Sequence, residues 1–198
     1  MGRHRQFDEN DALESALAVF WQKGYEGTSL DDLTQATGVA RPGLYSAFGN
    51  KEQLFLKALD LYEAKYMGFM LDALKAATSR LVVERILNGS ASLQTRNSSH
   101  LGCLGINGAL ACSEDAENIR CELIRRRTAN EAALINRFEK ARQEGDLAES
   151  QDCKALASFI MVLSQGMAVQ AKAGVSRKTL NGMIEHALAT WPSPAVTK

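Results

Sequence analysis

The stretch from Thr28 to Phe55 constrains the fold most, because it holds two short helix patterns separated by one glycine turn. Thr28 and Ser29 are each followed three residues later by an aspartate, which is the pattern of a helix capping box. Gly38 stands where a left-handed residue would end this first helix. Pro42 suits the first position of the second helix, where its missing N–H is not needed. The stretch therefore predicts a helix-turn-helix.

The start of the second short helix combines a cation with a helix N-terminus. The ring of Pro42 disfavours the helical region for the residue before it, so we predict Arg41 as the N-cap. A guanidinium beside free backbone N–H groups is a favourable place for a phosphate. Leu44 and Phe48 lie four residues apart and are predicted to pack inward. The helix therefore presents a phosphate-binding end and one apolar face.

The other face of this helix carries Gly43, Tyr45 and Ser46. Because Gly43 has no side chain, we expect this face to approach a DNA backbone or base edge closely. A long helix is then predicted to begin at Lys51 after an Asn50 cap and to continue to about residue 77. A helix of that length would link two domains.

The remainder of the chain shows helical periodicity and no alternation typical of strands. Further helices are predicted at about residues 80–95, 102–112, 114–143, 151–172 and 177–190. We therefore predict an all-α protein of about nine helices. It would consist of a DNA-binding domain at residues 1–52 and a second domain at residues 53–198, joined by the helix at about 51–77.

Composition narrows the class of protein without identifying it. Apolar residues make up 45% of the chain, charged residues 23%, and the net charge is zero. Residues 1–51 hold five basic and seven acidic side chains, so DNA binding would depend on a local basic face. We see no secretory signal and no apolar run of about 20 residues, so a cytoplasmic location without membrane contact is expected. No Cys or His spacing matches a zinc site, and no cofactor is predicted.

A family resemblance supports this interpretation of the N-terminal third. The segment GYEGTS at residues 24–29, then TGV at 37–39, LYSAF at 44–48 and NKEQLF at 50–55 follow one another in order. The pattern covers about residues 8–62 without gaps and resembles the N-terminal domain of the TetR family of bacterial transcriptional regulators. The resemblance implies a three-helix DNA-binding head joined to a helical body that dimerises and binds a ligand.

The resemblance also implies which residues meet DNA. They lie at the start of the first short helix, along the second, and at the start of the long helix: Thr28, Ser29, Arg41, Pro42, Gly43, Tyr45, Ser46 and Lys51. Arg41 could bind a guanine or clamp a phosphate, whereas Tyr45 and Lys51 suit phosphate oxygens. Thr28 and Ser29 could instead be only caps. A basic arm, Arg3 to Arg5, could lie along DNA or be a frayed terminus.

The function implied is a homodimeric repressor of a near-palindromic operator, released by an unknown small molecule, rather than an enzyme. In the family, two helices from each subunit form the dimer interface, and here those are the helices at about 151–172 and 177–190. The alternative is that these helices bury their apolar stripes within one subunit. Burial of both would leave no dimer interface there.

Cys103 is the residue on which two alternative functions depend. It opens the helix predicted at 102–112, where the helix dipole lowers a thiol pKa, and His100 is near in sequence. A regulator could sense oxidants or electrophiles through it, and a cysteine-dependent enzyme is the remote alternative. The simpler interpretation is a small apolar residue in the bundle.

Overall fold

The computed structural model describes residues 7–96, 102–107, 113 and 116–192. The predicted basic arm at residues 3–5 and His100 lie outside these residues. Within them the chain forms ten α-helices, which confirms the all-α fold and exceeds the expected number by one. They are α1 Glu9–Lys23, α2 Leu30–Thr37, α3 Arg41–Phe48, α4 Lys51–Tyr66, α5 Gly68–Leu74, α6 Ser79–Gln94, α7 Leu104–Asn107, α8 Glu117–Gln143, α9 Cys153–Lys172 and α10 Arg177–Ala189.

The head consists of α1, α2 and α3, and α1 packs against both α2 and α4. A capping box between Ser29 and Asp32 begins α2, and Gly38, at φ 69°, ends it in the left-handed region. The aromatic rings of Phe20 and Phe55 meet edge to face at 5.1 Å in the core between α1 and α4. The helix-turn-helix prediction is therefore confirmed, with the predicted caps at both ends of α2.

The start of α3 differs from the prediction by one residue. Ala40 is the N-cap, because the backbone N–H groups of Gly43 and Leu44 both donate to its carbonyl. Arg41 is therefore the first residue of the helix and Pro42 the second. Proline fits the second position as well, since that N–H also lacks a partner within the helix. The prediction that Arg41 is the N-cap was wrong, but its guanidinium stays in the first turn.

The predicted helix from 51 to 77 is interrupted. α4 ends at Tyr66, Met67 leaves helical geometry at φ −101° and ψ 4°, and α5 begins at Gly68. The reason lies in packing, because the Phe69 ring occupies the space beside Gly89 on α6, where a Cβ would lie 2.3 Å from the ring. The turn at Met67 therefore directly precedes the segment that packs against α6.

The helices of the body agree with the prediction except around α7. α7 is described only from Leu104 to Asn107, and residues 108–112 of the predicted helix lie outside the described residues. α8 begins at Glu117 without a side-chain cap, three residues after the predicted start. α9 and α10 begin after Asp152 and Ser176, whose side chains cap them.

Two apolar cores underlie the architecture. The first joins α1 to α4 and also takes in Leu93, Leu104, Ile119 and Leu123 from later in the chain. The second joins α5, α6, α8, α9 and α10, with Phe138 buried among them. Since the first core contains most of α4, the head and body share side chains there. A boundary between domains at residue 52 stays a prediction.

One helix of the body is more apolar than we expected. α9 is long and apolar enough to cross a membrane by length and composition alone, a test that core helices of soluble proteins also pass. On α9, Phe159 is 49% exposed, Val162 67% and Val169 45%. The helix therefore has an apolar face that the described part of this chain leaves uncovered.

Candidate functional site

The outer face of α3 carries the predicted DNA-contacting side chains. Arg41, Tyr45 and Ser46 are exposed, and the Tyr45 side chain is 46% accessible despite its size. Leu44 and Phe48 are buried, as predicted. Residues four apart lie on one side of a helix, so Arg41 and Tyr45 form a single polar strip.

Arg41 already has a partner in the head. Its Nη2 lies 2.6 Å from Oδ1 of Asp31 on α2, and both side chains are largely exposed. The hydrogen bond to Asp31, together with the charge of that carboxylate, raises the pKa of Arg41 further. Exposed ion pairs contribute little to stability and are weakened by salt. A phosphate or a guanine edge must therefore displace Asp31 or share the guanidinium with it.

Gly43 has a packing role that the sequence did not predict. A Cβ at this position would lie 2.9 Å from Cγ1 of Val39 and 3.7 Å from Cε1 of Phe7. The missing side chain is therefore needed inside the head, where the turn between α2 and α3 packs against α3. That Gly43 also allows close approach to DNA stays a prediction.

Thr28 and Ser29, the two candidate DNA contacts at the start of α2, differ in exposure. Thr28 is only 1% exposed, and its hydroxyl donates to the Gly24 carbonyl at 2.6 Å. Its side chain is therefore not accessible to DNA, which corrects the prediction. Ser29 is exposed, and its hydroxyl accepts from the Asp32 backbone N–H as a cap. The hydrogen bond from Lys23, followed by those from Ser29, lowers the pKa of Asp32 to about 2.

Lys51 begins α4 at the edge of the head. Its Nζ lies 4.5 Å from the centre of the Tyr25 ring, which holds the ammonium over an aromatic face. Partial burial lowers the pKa of Lys51, although the charges of Glu26 and Asp32 oppose that shift. The cation is therefore positioned by an aromatic ring and is less well solvated than an ordinary surface lysine.

The C-terminal end of α1 is bonded to the segment that contains α7. The indole N–H of Trp21 donates to the Gly102 carbonyl at 3.1 Å, and both groups are buried. In return, the Asn107 side-chain amide donates to the Trp21 carbonyl at 3.1 Å. Gly102 has φ 62°, and a Cβ there would lie 2.9 Å from the Ala168 carbonyl. The segment is thus fixed between α1 and α9.

Two further contacts join the same end of the head to the body. Lys172 Nζ on α9 donates to the Gln22 carbonyl at 2.6 Å. The Glu26 carboxylate accepts from both the backbone N–H and the hydroxyl of Ser113, which lowers its pKa. We call these contacts the head–body junction; it comprises Trp21, Gln22 and Glu26 with Gly102, Asn107, Ser113 and Lys172.

A cavity lies directly behind the junction. It is partly open to solvent, and the space that the centres of water molecules can reach in it is about 90 Å³. Cys103, Gly105 and Ile106 form one wall, so the segment bonded to Trp21 also faces the cavity. Ile106 lines the cavity, whereas Leu134 and Phe138 belong to the body core.

Cys103 lies just before α7 and is half-buried. Its sulfur accepts from the Tyr62 hydroxyl at 3.6 Å, and burial, followed by the nearby thiol, raises the pKa of Tyr62 well above its usual value. Among the described residues, Cys103, Cys121 and Cys153 are free thiols, and no cluster of three His, Cys, Asp or Glu side chains could hold a metal. The role of Cys103 as a sensor stays a prediction.

Sequence reasoning missed the junction and the polar side of the cavity. Asn107, Ser113 and Gln94 carry no motif, and their partners are 86, 87 and 70 residues away along the chain. Single asparagine, serine and glutamine residues are common in loops and helices of every protein, so only the tertiary structure reveals these contacts.

Comparisons with known proteins agree with the geometry. A family model described as bacterial regulatory proteins, tetR family, matches residues 12–58. The HTH-type transcriptional repressor ComR of Escherichia coli (strain K12) is 34% identical over 195 residues, 96% of this chain and 92% of ComR. BdcR, another repressor of that strain, is 25% identical over 90% of this chain and 86% of its own. One similar solved structure is a cysteine mutant of the TetR family transcriptional regulator CifR, complexed with 26-bp double-strand operator DNA. It is 37% identical in sequence and superimposes with a TM-score of 0.90. The match covers 96% of this chain and 100% of that chain.

Proposed function

Since the chain belongs to the TetR family and is a DNA-binding transcriptional regulator, we propose that it is a homodimeric repressor released from its operator by a small molecule. The observation that carries the proposal is the head–body junction. One short segment bonds to α1 of the head through Gly102 and Asn107 and lines the cavity through Cys103 and Ile106. A molecule in the cavity therefore acts on a segment that is bonded to the DNA-binding head.

The DNA contacts follow from exposure and chemistry. Arg41 reaches a guanine edge or a phosphate from the first turn of α3, and Tyr45 donates to a phosphate one turn later. Ser46 and Pro42 add close contact on the same exposed helix. Lys51 binds a phosphate from the start of α4. Outside α3, the cap residue Ser29 offers a further contact from the start of α2.

The dimer forms through the apolar face of α9 together with α10. Phe159 and Val162 on α9 and Met183 on α10 are exposed, and a shallow apolar groove between the two helices includes Phe159, Leu163 and Met183. A monomer would leave this surface in water at a cost that grows with its apolar area. A two-fold dimer presents two heads to successive major grooves, about 34 Å apart, on a near-palindromic operator.

Release follows from a shift between two arrangements of the heads. Without the ligand, the junction holds α1, and with it α3, in the position that suits the groove spacing. A ligand that favours another position of the Cys103–Ile106 wall shifts the population away from that arrangement. α4 is interrupted at Met67 and does not run through the body as one continuous helix. The coupling between the cavity and the head therefore passes through the junction as well as through α4. The ligand can change the equilibrium only by its difference in affinity for the two arrangements.

The experiment is a footprint and mobility shift on the DNA upstream of the protein's own gene, at low salt. Arg41→Ala is compared with Arg125→Ala, which removes another exposed, ion-paired arginine on α8. We expect specific protection by the wild type, and an affinity about tenfold or more lower for Arg41→Ala alone. Lack of a protected sequence, or an equal loss in both variants, would contradict the proposal.

Two alternative functions were also predicted, an enzyme and a regulator that senses oxidants or electrophiles through Cys103. The relatives are transcriptional regulators rather than enzymes. Modification of Cys103 by an oxidant or electrophile is the alternative input to the same regulator. If a Cys103→Ser variant still responds to such agents in cells, that alternative fails, whereas the proposal of a non-covalent ligand is unaffected.

A further inference from the structure

The cavity behind the junction has an apolar interior. Its walls include three flexible methionines and three other large apolar side chains: Met67, Phe69, Met70, Ile106, Leu123 and Met161. Such walls favour apolar surface and accept several shapes, because methionine fills irregular space. Burial of ligand in this interior is therefore driven mainly by the removal of apolar surface from water.

Buried polar side chains, among them Gln94, interrupt this apolar lining. Gln94 on α6 is 4% exposed, and its side-chain N–H donates to the Ser164 carbonyl on α9 at 3.1 Å. Among the described residues, its Oε1 has no hydrogen-bond partner. A buried acceptor without a partner destabilises the protein by about 1–3 kcal/mol. Gln94 lines the cavity, so a ligand there can supply the missing donor.

The orientation of the Gln94 amide follows from its neighbours. If the amide were rotated by half a turn, its oxygen would face the Ser164 carbonyl, and two acceptors would repel each other. The Ser90 and Ser164 hydroxyls are 3.0 Å apart and bond to one another. The unpaired atom of Gln94 is therefore an acceptor, and a ligand that pairs with it must carry an O–H or N–H group.

The charged residues of the cavity lie on other helices. On α8, Arg126 bonds the carboxylates of Asp60, Glu63 and Glu122. Burial lowers the pKa of Arg126, but these three carboxylates outweigh it and the pKa is raised. Arg127 also lines the cavity and is half-buried. The Glu63 side chain is 40% exposed, so this charged side reaches solvent, in contrast to the side formed by Gln94.

We propose that the effector is a small, mostly apolar molecule whose buried end is a neutral hydroxyl or N–H group donating to Gln94 Oε1. A carboxylate at that end would face another acceptor. An ammonium would lose its hydration among the apolar walls. No carboxylate side chain among the described residues bonds Gln94, so none there would compensate that loss. The inference rests on the proposed ligand-released repressor and specifies the chemistry of its ligand.

The test uses probes that share a skeleton and differ at one group. 2-Naphthol is compared with 2-methoxynaphthalene and 2-naphthoate, and 1-octanol with methyl octyl ether and octanoate, by calorimetry and thermal shift of the full chain without DNA. At least one alcohol should bind about tenfold or more tightly than its ether, since an ether leaves Gln94 Oε1 unpaired. Equal binding of alcohol and ether, stronger binding of the carboxylates, or no binding of any probe at about 1 mM overturns the proposal.

Two variants locate the preference. Gln94→Met removes the acceptor at similar volume and should abolish the preference for alcohol over ether. Gln165→Met changes a second glutamine that lines the cavity and should keep it. Loss of the preference in both variants overturns the assignment to Gln94. If Gln94→Met does not fold, the alcohol-to-ether ratio of the wild type still decides.

Operator binding is measured separately, by fluorescence anisotropy with and without the tightest alcohol. Operator release by that alcohol supports both proposals. Alcohol binding without release leaves the ligand chemistry intact and contradicts the release mechanism. If the protein binds its operator but does not prefer alcohols over ethers, only the proposal on the chemistry of the ligand is contradicted.

Discussion

Replacement of Trp21 by phenylalanine tests whether the head–body junction sets the position of the heads. Trp21 is 4% exposed and donates its indole N–H to the Gly102 carbonyl at 3.1 Å. Its ring also meets Tyr62 edge to face at 4.8 Å, which phenylalanine can partly preserve. Trp21→Phe therefore removes one hydrogen bond between head and body and leaves a buried carbonyl without its donor.

The magnitude follows from that carbonyl. An unsatisfied buried acceptor costs about 1–3 kcal/mol, and for a chain of this size each kcal/mol lowers Tm by about 2–4 °C. We therefore expect Tm to fall by about 2–12 °C. If the junction selects the DNA-binding arrangement, the operator Kd of the ligand-free protein rises too, by about 3-fold to 100-fold, because fewer heads are in that arrangement.

Trp191→Phe is the matched control. Trp191 is 5% exposed and donates its indole N–H to the Ser79 hydroxyl at 3.2 Å, entirely within the body. The same chemical change should lower Tm by a similar amount but leave the operator Kd within twofold of the wild type. Denaturation and fluorescence anisotropy measure the two quantities. Equal operator affinities of the two variants would refute the role of the junction.

Three further predictions concern the surface of the protein. Asp31→Asn frees Arg41 and removes a negative charge. Affinity for unrelated DNA, measured by fluorescence anisotropy at low salt, should therefore rise about threefold or more. An unchanged affinity would contradict the competition between Asp31 and DNA for Arg41. Burial lowers the pKa of Lys51 in the free protein, and a bound phosphate would raise it. Operator affinity is therefore complete below the pKa that Lys51 has in the free protein. It falls as the pH rises through the pKa that Lys51 has in the complex. As the pH rises toward the ordinary lysine pKa of about 10.4, the wild type should lose more affinity than Lys51→Arg; parallel pH profiles would argue against a Lys51–phosphate contact. Val162→Glu on α9 should yield monomers in sedimentation at micromolar concentration, whereas Leu71→Glu, at a 65% exposed position on α5, should stay dimeric.

Local chemistry made the head predictable from sequence. The capping box at Ser29, the left-handed Gly38 and the Asn50 cap are each determined by residues within three or four positions, so the order of helices in the head could be predicted. Pro42 gave the start of α3 only to within one residue, because proline fits both of the first two helical positions.

Contacts between distant residues were not predictable in this way. Thr28 looked like a cap or a DNA contact, and only its burial beside the Gly24 carbonyl excludes it. At Gly43, only the structure shows that Val39 packs where a side chain would lie. The break at Met67 depends on how Phe69 packs against another helix. No local pattern encodes these neighbours.

The pairing of Arg41 with Asp31 affects how the protein distributes over a chromosome. A bacterial genome offers millions of unrelated sites that compete for each copy of a regulator. The first 51 residues hold five basic and seven acidic side chains, and one exposed arginine is already neutralised by its neighbour. We therefore expect weak retention on random DNA, so that fewer copies are held away from the operator.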